Sequence, residues 1–420
     1  MRCGVASGDI TPKPGMILQG HWSTNPSHAV MYPLEVRAIV FEDDGVRSAI
    51  VTLDVIGVTL DLTQQIRKAV SELVPPESVM VACSHTHCGP PVLPCLGMVP
   101  DTAYLQRLVA VSASCVQMAV ADLQTVTVGL GCGSTDFNIS RRPLPGTDSM
   151  VANYGMLVDR RVRVLRIDGA KGTLAVLFHY SCHPTTFNGS NGFISYDYPG
   201  IARSFIEREL RCKALYLAGC FGNIRPAILT EGGGFTSATK EQLDACGDAL
   251  GREVCRVSDW LQTRNVAGIS SQVVDVDMPY GEPMSREQLQ EWANDESDRG
   301  RLMTGPWAKG VLALLAGAGI PESRPTQMQR LTIGPIGLIS IPGEPVQEIG
   351  HAIEKDVRNL LGVEDLWPVG YANDEIGYLC TERQYGEGGY EPNAYPYYGD
   401  PAPYKDEERV ILEAAKALAQ

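Results

Sequence analysis

The chain has 420 residues, 44% of them hydrophobic and 20% charged, with a formal net charge of −14. That length holds one large or two ordinary domains around a substantial core, and the composition excludes wholesale disorder. The acidic balance repels phosphate backbones and anionic lipid, so neither nucleic acid nor a membrane surface is expected as the main partner.

The N-terminus, MRCGVASGDITP, has no apolar stretch behind a basic start, and no apolar run reads as long enough to span a bilayer. The expectation is a cytoplasmic protein without stable membrane association. Twelve cysteines are scattered without a CxxC pair, most of them in apolar segments, and are expected to be reduced and buried. RSAIVTLDVIGV (47–58) reads as a buried strand, 61–74 as a helix, SVMVACS (78–84) as a strand and 102–123 as a long helix. Two β-rich runs around DGAKG (161–181) form a hairpin, followed by a helix over 198–210, the strand KALYLAGC and a helix over 240–261. A second hairpin, QRLTIGPIGLISIPG (329–343), precedes a helix over 345–361, and DEERVILEAAKALAQ closes the chain as an amphipathic helix. Residues 280–328 are polar and helical in composition and read as an insertion or lid. No internal repeat is evident. The pattern predicts a single α/β domain over 1–420, a mixed β-sheet core flanked by helices with the active site at strand ends.

Four of the seven histidines lie in two short segments, each directly after an apolar strand: Ser84-His85-Thr86-His87-Cys88-Gly89-Pro90 and His179-Tyr180-Ser181-Cys182-His183-Pro184-Thr185. GLISI likewise runs into Pro342-Gly343-Glu344-Pro345, which puts a carboxylate at a third strand end. Two imidazoles and a carboxylate are a common catalytic zinc set that leaves a position for water. A histidine at a strand end is equally a familiar hydrogen-bonded core residue.

HTHCGP, NISRRP, HPT, GNIRP, PGEP and YLCTERQYGEGGYE, with the opening GVASGDITP, together resemble the neutral/alkaline ceramidase catalytic domain, in order along nearly the whole chain. The resemblance implies a zinc amidase that releases a fatty acid from an N-acyl sphingoid base. It implies one Zn2+ per chain on His85, His183, Glu344 and Tyr378. His87, Arg141 and Tyr390 then serve the oxyanion, and His87 also the leaving amine. Tyr378 lies in a tyrosine-rich stretch where several rings must simply pack, and with Arg142 adjacent to Arg141 either arginine can be an ordinary surface charge. Asp197 can orient His183 or cap the helix ahead of Pro199; the cap is expected.

One departure matters. Where the family pattern has a serine before the proline of its GN-x-SP segment, this chain reads Gly222-Asn223-Ile224-Arg225-Pro226. Arg225 and Asn223 are expected at the substrate, and a guanidinium there calls for a carboxylate, on the substrate or within the protein. The family's immunoglobulin-like C-terminal domain and its signal peptide have no counterpart in the sequence. The expected activity is hydrolysis of a small, carboxylate-bearing amide. An esterase or lactonase using the same zinc, and a non-catalytic metal-binding protein, are the alternatives.

Overall fold

The computed structural model describes residues 1–420 except 22, 24, 96, 145, 146, 148, 149 and 188. Its long strands fall into three sheets. The first holds β1 (Arg2–Asp9), β2 (Glu35–Asp43), β3 (Val46–Leu53) and β4 (Val79–Cys83) in the order β4-β3-β2-β1, with Gln124–Thr125 at the β1 edge. The second holds β5 (Thr127–Ser134), β6 (Arg161–Gly169), β7 (Gly172–Tyr180) and β8 (Lys213–Ala218) in the order β8-β7-β6-β5. The third holds β9 (Ile269–Pro279), β10 (Ser323–Ile333), β11 (Ile336–Ser340) and β12 (Asp365–Val369) in sequence order. The long helices are α1 (Leu60–Ala69), α2 (Thr102–Ala121), α3 (Asp197–Leu210), α4 (Lys240–Trp260), α5 (Arg286–Ala293), α6 (Gly305–Ala316), α7 (Gln347–Leu361) and a C-terminal helix, Glu407–Ala417.

Each sheet contains the same unit. An antiparallel hairpin (β2–β3, β6–β7, β10–β11) is followed by a crossover helix (α1, α3, α7) and a strand parallel to the hairpin's second strand (β4, β8, β12). A parallel neighbour requires such a crossover, because no tight turn can join two parallel strands. The sequence shows no repeat, yet this topology recurs three times.

Strand alternation explains how the sheets meet. Ile39 and Phe41 of β2, Leu165 and Ile167 of β6, and Leu331, Leu338 and Trp367 of the third sheet share one buried cluster. The alternate residues Val36, Ala38 and Val40 point the other way, onto Leu62 and Ile66 of α1 and Leu108 and Cys115 of α2. Ile339 and Leu366 likewise pack on Ile349 and Ile353 of α7. The sheets therefore face one another with their inner sides and carry helices outside. Strands covered on both faces read as continuous apolar runs, as RSAIVTL does.

Two expectations are corrected here. By length and composition α2 is apolar enough to cross a membrane; in the fold its Leu108, Cys115 and Ala119 lie in the core. The polar excursion is 280–322 rather than 280–328, because β10 begins at Ser323 and pairs with β9 from Pro279↔Ser323 to Ile269↔Ile333. Pro325 near the start of β10 masks that strand in the sequence. The excursion carries α5 and α6, held together by Leu289, Ala308 and Val311. It leans on the C-terminal segment, where Trp307 Nε1 donates to Asp400 O at 2.9 Å and Arg299 bonds the Tyr397 hydroxyl. All twelve cysteines are unpaired, and most are buried.

Candidate active site

The loops leaving the strands converge. After β4 the chain enters the left-handed region at His85 (φ 64°), a conformation L-residues with a β-carbon rarely hold. The His85 N–H donates to Val55 O at 3.0 Å, in the loop after β3. Its ring lies on Tyr371, with centroids 4.2 Å apart. After β7, the His183 N–H donates to Ile224 O at 3.1 Å. After β11, Glu344–Pro345 pairs in parallel with Tyr378–Leu379, which follow β12. Gly222 permits this crossing, since a Cβ there would stand 2.6 Å from Glu344 O.

Backbone carbonyls fix the tautomers. His85 Nδ1 faces Ile56 O at 2.5 Å, His87 Nδ1 faces Gly20 O at 3.0 Å and His183 Nδ1 faces Phe221 O at 3.1 Å. A carbonyl only accepts, so each Nδ1 carries the proton and each Nε2 is left as a lone pair. Those lone pairs share one space. His85 Nε2 is 3.0 Å from His183 Nε2 and 3.1 Å from His87 Nε2. Glu344 Oε2 is 3.4 Å from the Nε2 atoms of both His85 and His183. That oxygen is buried and has no hydrogen-bond partner among the described residues. Four electron-rich atoms facing one point repel each other unless a cation sits among them, so the donor set fits a metal ion. Burial holds the His87 and His183 imidazoles well below their ordinary range, as ligands require. Burial pushes the Glu344 carboxyl up, while the Tyr398 hydrogen bond and the Arg141 charge pull it down.

A small cavity lies against this cluster, lined by His85, His87, Glu344, Tyr378 and Tyr390 together with Glu375 and Tyr398. His85, His87, His183 and Glu344 are thus together at its base, with Tyr378 and Tyr390 on its wall. The structure sets His87 as close to His85 as His183 is, so the two outer imidazoles compete on geometry for a metal. Arg141, not Arg142, stands behind two tyrosines of the cavity wall. Its Nη2 donates to the Tyr378 hydroxyl at 2.8 Å, and its guanidinium carbon lies 5.4 Å from the centroids of both the Tyr378 and Tyr390 rings. Glu391 anchors both arginines, at 2.9 Å from Arg141 and 2.7 Å from Arg142.

Arg225 is half-buried. It donates to Thr185 Oγ1 at 3.2 Å and lies over the Phe235 ring at 4.8 Å, and no carboxylate pairs with it among the described residues. Burial, and then Arg141, pull its pKa down to about 10. Asn223 is tied to a helix start. Its Oδ1 accepts the Gln347 N–H at 3.1 Å and its Nδ2 donates to Glu348 at 2.9 Å, so its amide is bonded at the N-terminus of α7. Asp197 opens α3 and touches no histidine; its carboxylate takes the N–H groups of Phe187 and Tyr198. Burial lifts it to about 6.

The sequence reading missed four members of the site. Tyr398 donates to Glu344, Tyr371 packs at a tilt against His85, Glu391 holds the arginines, and Glu375 lines the cavity. The tyrosine density of 371–398 marked the neighbourhood without saying which rings mattered.

An α/β scaffold that gathers buried histidines and a carboxylate at strand ends, able to hold a metal under an open cavity, is the architecture of a hydrolase centre. The chain belongs to the neutral/alkaline non-lysosomal ceramidase family, a family of amide hydrolases, whose N-terminal profile matches residues 2–237. The neutral ceramidase of Mycobacterium tuberculosis (strain ATCC 25618 / H37Rv) is 25% identical over 468 aligned residues, which cover 92% of this chain and 72% of that protein. The crystal structure of neutral ceramidase from Pseudomonas aeruginosa superposes with a TM-score of 0.75 at 19% identity, over 100% of this chain and 74% of that one. A ceramidase complexed with C2 matches with the same TM-score and identity over 99% and 75%. These solved structures establish the mixed α/β fold.

Proposed function

We propose that the chain is a zinc-dependent amidohydrolase that cleaves a small, carboxylate-bearing amide. The observation that carries the metal is the meeting of imidazole lone pairs with the unpartnered Glu344 Oε2. His85, His183 and Glu344 would hold the ion, with Tyr378 as a fourth, weaker ligand. Histidine with carboxylate is a zinc donor set, and the backbone carbonyls behind each Nδ1 are the usual orienting partners. When bound, zinc supplies Lewis-acid activation of water and of the scissile carbonyl.

The protein's own groups do the rest. Arg141, pinned by Glu391, holds its positive charge behind Tyr378 of the cavity wall, on the side where negative charge would develop on the carbonyl oxygen. Tyr390 offers a further polar contact at the same oxygen. The leaving nitrogen needs a proton, and His87 stands where it can pass one. Arg225 without a protein carboxylate supports a substrate that brings its own. The long alkyl chain of a ceramide brings none.

Metal analysis and a substrate panel test this reading. One zinc per chain is expected, together with faster cleavage of N-acyl amino acids than of neutral long-chain ceramide. Efficient ceramide cleavage would overturn the substrate assignment. Activity confined to esters or lactones would overturn the amidase assignment.

A further inference from the structure

The two oxygens of Glu344 have different surroundings. Oε2 lies 3.4 Å from the Nε2 atoms of both His85 and His183 and has no hydrogen-bond partner among the described residues. Oε1 accepts the Tyr398 hydroxyl. Tyr398 closes a short turn, Tyr395–Tyr398, that Gly399 caps in the left-handed region (φ 80°). Asp400 bolts this turn down. Its carboxylate accepts from the Tyr280 hydroxyl at 2.7 Å, from Arg324 Nη1 at 3.0 Å and from the Tyr404 hydroxyl at 3.0 Å. Its carbonyl accepts Trp307 Nε1 at 2.9 Å. The Tyr398 ring rests on Gly377, where a Cβ would stand 3.0 Å from it, and the Gly377 carbonyl accepts the Glu344 N–H at 2.9 Å. One glycine thus supports both the backbone of the carboxylate and the ring of the tyrosine that bonds it.

We infer that Tyr398 is a positioning residue that selects Glu344 Oε2 as the metal-facing oxygen and holds the carboxylate to binding through one oxygen. The inference rests on the metal reading proposed above. An ionised carboxylate has two equivalent oxygens and can meet a cation through either or both. A hydroxyl donating to Oε1 makes a charge-assisted bond that engages that oxygen and turns Oε2 toward the histidines. Without the hydroxyl, the carboxylate is free to rotate about its last bond and to bring Oε1 in beside Oε2. Holding it to one oxygen keeps open the position that a catalytic zinc needs for water or substrate. The tyrosine acts through Glu344, as the outer partners of metal ligands do, and needs no contact with substrate.

The test uses the full chain and two metal probes. Zn2+ affinity is measured by competition with a chromophoric chelator. Loading with Co2+ gives visible bands that report the coordination number. Tyr398→Phe removes the hydroxyl and keeps the ring on Gly377. It should weaken Zn2+ binding by about tenfold or more, the usual weight of a group that orients a metal ligand. Its Co2+ bands should move toward the weaker absorption of a higher coordination number. Tyr398→Met serves if circular dichroism shows that the phenylalanine variant does not fold. Unchanged Zn2+ affinity overturns the inference, even if substrate KM rises, and would make Tyr398 a substrate contact. Co2+ bands identical to those of the wild type overturn it equally and would make Tyr398 a packing residue. Either result beside tight binding by the wild type leaves the metal reading standing. A wild-type chain that binds neither ion sinks the metal reading and the role of Tyr398 with it.

Discussion

His85 and His183 are 98 residues apart in the chain, and their Nε2 atoms stand 3.0 Å apart, each with its proton committed on the far side of the ring to a backbone carbonyl. Neither can donate to the other. The close approach is therefore repulsive in isolation and becomes favourable only around a cation.

His85→Ala and His183→Ala should each lose most of the bound zinc, measured by elemental analysis of the purified proteins. Both variants remove a buried donor whose backbone is separately anchored, so the fold should persist in circular dichroism. Full occupancy in both would show that the ion, if any, lies elsewhere.

His87→Ala should keep its zinc and lose roughly 10²–10⁴-fold in turnover, the usual weight of a proton-transfer group. The 3.1 Å separation from His85 makes the alternative concrete. A variant that loses metal as completely as His85→Ala would transfer His87 from proton transfer to metal binding.

Arg225→Ser should weaken binding of an acidic amide by about tenfold or more, since a charge-assisted hydrogen bond contributes roughly 1.5–3 kcal/mol. A neutral amide of the same length should be unaffected. Equal effects on both probes would place Arg225 in the scaffold.

Stability should fall as pH rises through the neutral range, and Glu407 should be one cause. Its carboxyl is fully buried at the start of the C-terminal helix, where it accepts the Cys380 N–H. Burial outweighs that bond and lifts its pKa from the ordinary 4.5 to about 8. The sign follows directly. Below 4.5 the group is protonated folded and unfolded, and its contribution is fully present. Between 4.5 and about 8 only the unfolded chain releases the proton, so folding loses up to about 1.4 kcal/mol per pH unit across the window. Glu407→Gln should flatten that part of the Tm–pH curve. An unchanged slope would clear Glu407 of the role.

Local elements were legible because local physics dictates them. DGAKG between β-rich runs makes a hairpin in any context, and the Thr239–Gln242 capping box announces α4. His85, His183 and Glu344 were legible as strand-end polar residues after apolar runs. The arrangement of three sheets was not, because central strands such as β2 and β3 are apolar on both faces and carry no mark of which side meets another sheet. The bonding of Asn223 was not legible because GNIRP presents it beside a catalytic-looking motif, while its partner, the first turn of α7, is more than a hundred residues away. Glu375 and Tyr398 were invisible for a similar reason. Their place in the site lies in a cavity wall and one contact to Glu344, neither of which leaves a trace in spacing.

The thrice-used hairpin–helix–strand unit makes the centre a clasp between modules. His85 leaves the first sheet, His183 the second, and Glu344 and Tyr378 the third. No single module owns a complete donor set, so a partly folded chain with one sheet unformed competes poorly for the ion. On the proposed zinc reading, metal occupancy would then report on assembly of the whole chain. Chelation should loosen the seams between sheets before it melts any one of them.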